Sequence, residues 1–123
     1  MNKFKAIHIL RIGLGINMLM HGLVRIPNLQ GFVTKASGGF ASTLMPPVLV
    51  SGFLYVLPFL EALVGLLILI GGKAGRIGYI AGGLLITVLI FGTDLHQDWA
   101  TTSQQMIYLL TFAVALYLHD REV

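Results

Sequence analysis

The sequence predicts an all-α fold, a four-helix bundle lying in a membrane, and three observations carry that expectation. Of the 123 residues, 56% are hydrophobic and only 11% are charged, too little polar surface to wrap a soluble globule of this size. The apolar residues gather into long runs. The clearest, 48–71, extends roughly 36 Å as a helix, against a hydrocarbon core of about 30 Å. Between the runs lie short segments carrying Gly, Pro, Lys, Arg and Asp, the residues of turns and membrane surfaces. The chain reads as one domain, 1–123, with spans at about 6–26, 48–71, 77–93 and 103–118.

The first span opens after Lys3 and Lys5 and closes at Pro27, which disfavours helix through the residue before it. A basic start and an apolar run also suit a signal peptide. Arg11 interrupts the run and no small-x-small cleavage site follows, so a retained span is expected. Its wheel is two-sided. His8, Arg11, Asn17, His21 and Arg25 share one half with Gly15 and Gly22, while Ile9, Ile12, Ile16, Leu19, Met20, Leu23 and Val24 hold the other. One face is therefore expected in lipid and one in the bundle.

The connection 27–47 repeats Leu29, Phe32, Val33, Ala36, Phe40 and Leu44 at near-helical spacing. It reads either as a short amphipathic helix on the membrane surface or as a loop folded over the bundle mouth. The second span carries one carboxylate, Glu61, near its middle, on a face shared with Ser51, Pro58, Ala62, Gly65 and Gly72. Small faces are where membrane helices approach, so Glu61 should point inward. Residues 71–76 read as a tight basic turn. In the third span Gly78 and Gly82 form G-x-x-x-G, a pattern that permits close helix contact. The polar loop 94–103 ends at Thr102, which with Gln105 makes a capping-box pattern for the start of the fourth span. Lys3, Lys5, Lys73, Arg76 and Arg121 fall on one side of this arrangement, against Arg25 and Lys35 on the other. The positive-inside rule then places both termini in the cytoplasm.

Counting rise per residue from the outer ends puts Glu61 at about 20 Å depth, Arg11 at about 22 Å, Asn17 at about 13 Å and His21 at about 8 Å. Glu61 is therefore expected to pair with Arg11, whose guanidinium suits a carboxylate. Such a pair either clamps two helices or lets Glu61 handle protons. A second constellation is expected near the outer surface, where His21, Arg25, Asp94, His96, Asp98, Trp99, Gln104, Gln105 and Tyr108 gather at one level. These residues lack metal-ligand spacing such as H-x-x-x-H, so no metal is assigned to them. A polar rim above an apolar slot instead suits a lipophile with a polar head. Absence of cysteine excludes disulfides and thiolate chemistry, and a net charge of +3, thinly spread, gives no support to nucleic-acid binding.

The run Leu10-Arg11-Ile12-Gly13-Leu14-Gly15, leading to His21-Gly22-Leu23-Val24-Arg25, and Glu61-Ala62-Leu63-Val64-Gly65, leading to Gly71-Gly72, resemble the DoxX family of small four-helix membrane proteins. The family includes a subunit of thiosulfate:quinone oxidoreductase and members linked to oxidant resistance. At matching positions the resemblance implicates Arg11, His21, Arg25 and Glu61, and it implies a bacterial inner (plasma) membrane location. The expected function is a membrane redox subunit binding a quinone, with His21 and Glu61 as the catalytic proton handlers. Arg11, Asn17, His21, Arg25, Glu61, Asp94, His96, Trp99, Gln104 and Tyr108 are the candidate ligand-binding residues. No flavin, haem or iron–sulfur motif is present, so a redox partner protein is expected, as is contact with the bilayer, and a homo-oligomer is compatible. A scaffold for a partner protein and a small proton-linked carrier are the competing readings.

Overall fold

The computed structural model describes residues 4–122 and is all-helical, with no strand among them. Four long helices, α1 (Ala6–Leu23), α3 (Pro47–Ile70), α4 (Gly72–Leu95) and α5 (Trp99–Glu122), are joined by a short α2 (Leu29–Ser37) and two 3₁₀ turns. Three stretches are long and apolar enough to cross a membrane: Ala6–Phe40, which joins α1 to α2, then α3, then α4. This points to a membrane protein with its apolar faces toward lipid. Most of those faces are the expected ones, since Ile9, Ile12, Ile16, Met20 and Leu23 of α1 and Val24 just after it are exposed, but Leu19, expected among them, is half-buried with its backbone against Gly65.

The helix boundaries differ from the sequence reading wherever a cap overrode composition. α1 ends at Leu23, before Pro27 forces the 3₁₀ turn Ile26–Asn28, and the helix then resumes as α2. α2 settles the two readings of 27–47 in favour of a helix, packed against α3. Its Val33 is buried with Val50, Leu54 and Leu57, because those α3 side chains offer an apolar wall that a surface helix would leave uncovered. The expected basic turn at 71–76 shrinks to Gly71. At φ +81°, followed by Gly72 at φ +59°, this is backbone that residues with a Cβ rarely adopt, and it reverses the chain within one residue. α5 begins at Trp99 instead of 103. Asp98 caps it by accepting the Thr101 N–H at 3.2 Å and the Thr101 O–H at 2.6 Å. Thr102 and Gln105 instead meet the Thr93 hydroxyl of α4, each at 2.8 Å.

Glycines set the helix crossings. A Cβ at Gly22 would strike the Pro58 carbonyl, and one at Gly65 would strike the Leu19 amide, so α1 lies backbone-close to the small face of α3 that carries Glu61. The G-x-x-x-G of α4 serves two neighbours. Gly78 receives Ile68 of α3, and Gly82 receives the ring of Phe112 of α5. Around these contacts Leu14, Met18, Val64, Ile68, Tyr79, Ile86, Phe112 and Ala115 form the main core. α5 packs beside α4 with a length of 24 residues, but its Thr and Gln content leaves it less apolar than the other three and outside the span-capable stretches.

Candidate functional site

Gly15 meets Leu69, Leu19 meets Gly65 and Gly22 meets Ala62, so α1 and α3 are antiparallel in a fixed register. Just past the end of α1, the chain in the same register brings Arg25, before the 3₁₀ turn, to Glu61. Arg25 Nη1 donates to Glu61 Oε1 at 2.8 Å, and the glutamate side chain is 5% exposed. The expected Arg11–Glu61 pair is therefore corrected to Arg25–Glu61. The depth count assumed that α1 and α3 end level at the outer surface. In fact α3 runs well past the end of α1, and α2 covers the overhang. Arg11 instead donates through Nη1 to the Leu69 carbonyl at 2.6 Å. It thereby satisfies an orphan carbonyl at the negative end of α3.

Above the Arg25–Glu61 pair the helices part around a cavity of about 830 Å³. Its walls are apolar, with Phe53, Leu54 and Leu57 from α3, Ile86 and Leu89 from α4, and Phe32 from α2. The α3 lining, from Leu49 to Glu61, corresponds to roughly 18 Å of depth. Polar groups occupy its two ends. His21, Arg25, Glu61 and Tyr108 lie at the deep end, while Lys35, His96, Asp98, Thr101, Gln104 and Gln105 lie where the helices terminate.

The deep set is held by contacts on every side. The Arg25 guanidinium carbon sits 4.5 Å over the Phe32 ring, so α2 adds a cation–π contact that steadies the cation. His21 Nδ1 lies 2.8 Å from the Asn17 backbone carbonyl, which can only accept. A neutral His21 must then carry its proton on Nδ1, leaving the Nε2 lone pair open. The Tyr108 hydroxyl accepts from Asn17 Nδ2 at 3.0 Å, and its ring meets His21 edge-on at 5.9 Å between centroids. Having accepted that bond, the phenol keeps its O–H as a donor.

At the mouth, Phe40 reaches across from the turn after α2 and meets His96 edge-on at 4.8 Å. The Asp98 carboxyl lies below its ordinary range, chiefly because of the hydrogen bond from the Thr101 hydroxyl, with the Thr101 amide second. Asp94 accepts from the Thr102 hydroxyl at 2.9 Å, which ties the ends of α4 and α5 together.

The structure thus divides the expected constellation. His21, Arg25 and Tyr108 join Glu61 at depth, and His96 and Gln104 line the mouth. Arg11, Asn17, Asp94 and Trp99 do not line the cavity, and Trp99 is 59% exposed at the start of α5. Asn17 keeps an indirect part, because both of its groups orient lining side chains. Sequence reasoning missed the α2 contribution, Phe32 and Lys35. The near-helical spacing of 29–40 was the signal, and only its packing partner was unknown. No family model, curated protein or solved structure matches this chain.

Proposed function

We propose that this chain is a DoxX-like subunit of a membrane redox system that binds a quinone or similar lipophile head-first in the large cavity. The observation that carries this reading is the placement of four hydrogen-bonding side chains at the deep end of a cavity whose walls are apolar up to its polar mouth. At about 830 Å³ the cavity falls within the size range of small-molecule sites, and its apolar length suits an isoprenoid-like tail. Arg25 has N–H groups beyond the one given to Glu61, and these can hold one carbonyl oxygen of the head. The Tyr108 O–H is placed to hold the head as well. His21 and Glu61 are the proton carriers: on oxidation of a quinol, which gives up two protons and two electrons, Nε2 of His21 takes one hydroxyl proton and the Glu61 carboxylate the other, and on reduction both are returned. The electrons pass to or from a partner protein.

In this reading four segments cross the membrane, with the Ala6–Phe40 stretch counted as one and α5 as the fourth, and both termini face the cytoplasm of a bacterial cell. Lys5, Lys73, Arg76 and Arg121 at one end against Lys35 at the other support that orientation. The test is binding of a short-chain quinone to the purified protein in detergent. A rise in melting temperature is expected, reduced in His21→Ala and Tyr108→Phe, with helix content unchanged in both. If the quinone neither shifts melting nor protects His21 from chemical modification, the ligand reading fails and a scaffolding role replaces it.

A further inference from the structure

At the opposite end of the bundle, where α1 begins and α5 ends, the helices border a second, half-open cavity of about 250 Å³ against the Gly71–Gly72 reversal. Among the described residues its polar side chains are His8, Arg11 and His119, all nitrogen donors or bases, with no carboxylate in the lining. His8 Nδ1 accepts the Lys5 backbone N–H at 2.9 Å, so a neutral His8 carries its proton on Nε2 and offers a donor there. Arg11 gives one N–H to the Leu69 carbonyl, which fixes the guanidinium beside Gly71 and leaves its other N–H groups for a further acceptor. His119 meets the ring of Tyr79 edge-on at 6.0 Å. Tyr79 is buried at 1% exposure, and its hydroxyl is the one buried side-chain polar atom among the described residues with no hydrogen-bond partner. Asp120, the residue after His119, spends its carboxylate chiefly on Arg76, at 2.9 Å.

We propose that this cavity is a binding site for a phosphate oxyanion, held by the Arg11 guanidinium and the imidazoles of His8 and His119. A tetrahedral oxyanion presents several acceptor oxygens to a guanidinium fork, and charge-assisted bonds of this kind are the strong ones. The first turn of α4 adds backbone N–H groups that no helical carbonyl satisfies. Two sources supply such a group, a phospholipid headgroup and free inorganic phosphate. Basic pockets at the ends of membrane helices suit the first.

The full chain, purified in an uncharged detergent, is titrated with phosphatidylglycerol, with phosphatidylcholine and with inorganic phosphate, and followed by thermal unfolding and native mass spectrometry. Phosphatidylglycerol should raise the melting temperature more than phosphatidylcholine does. His119→Gln should weaken that binding roughly tenfold, the equivalent of one charge-assisted hydrogen bond. Arg11→Gln should weaken it too, but it also removes the Leu69 cap, so His119→Gln is the deciding variant. Arg121→Gln, which changes surface charge at the same end, should leave binding unaltered. Stabilisation by inorganic phosphate with the same dependence on His119 supports the site and assigns it to a soluble anion. Failure of both probes to stabilise, or equal weakening by Arg121→Gln and His119→Gln, overturns the proposal.

Discussion

Replacing Arg25 with Met leaves the Glu61 carboxylate, 5% exposed, without its partner at 2.8 Å. Losing one member of a fully buried ion pair costs about 3–5 kcal/mol. Two features lower that figure. The Arg25 side chain keeps 31% of its exposure, and an isolated Glu61 can take up a proton instead of remaining charged. Costs of about 2–3 kcal/mol for Arg25→Met and about 1–2 kcal/mol for Glu61→Gln follow, with the double variant recovering roughly 1–2 kcal/mol of their sum. Arg11→Met combined with Glu61→Gln should instead be additive to within about 0.5 kcal/mol, because Arg11 is bonded at Leu69, about 12 Å further along α3. The assay is reversible unfolding in mixed micelles titrated with a denaturing detergent, applied to both double-mutant cycles. Coupling of Glu61 to Arg11, or strict additivity with Arg25, would refute the register between α1 and α3.

Three further outcomes are expected. Gly65→Ala should destabilise by about 2–3 kcal/mol in the same unfolding assay, since its Cβ would press on the Leu19 backbone, which cannot give way. Gly13→Ala, which meets open space, should be neutral or stabilising by up to about 1 kcal/mol. Asp98, whose folded carboxyl lies below its unfolded value of about 3.9, contributes its stabilisation in full above that value and loses it as pH falls through the folded one. The melting-temperature gap between wild type and Asp98→Ala should therefore be widest near neutral pH and narrow on acidification. Single cysteines at Ser103 and Lys73 in this cysteine-free chain should differ in labelling by an impermeant thiol reagent. The first should react from outside and the second only after permeabilisation, and the reverse pattern would invert the proposed topology.

The sequence by itself determined the helical class, the apolar outer faces and the small inward face around Glu61, because each depends only on residue type and helical period. It also marked His21, Arg25, Glu61 and Tyr108 as inward polar groups, since an ionisable or hydrogen-bonding side chain in such runs has few other places to go. Tertiary structure decided which of them meet. Pairing Glu61 with Arg25 depends on axial register, which is set by Gly22 against Pro58 and Gly65 against Leu19 and not by distance counted from span ends. The role of 27–47 was undecided for a similar reason: its spacing described a helix, but only the apolar overhang of α3 made burial of Val33 favourable and brought Phe32 onto Arg25. Even the G-x-x-x-G of α4 was legible as a contact and not as a partner, because a glycine pair records only that something comes close, here Ile68 on one side and Phe112 on the other.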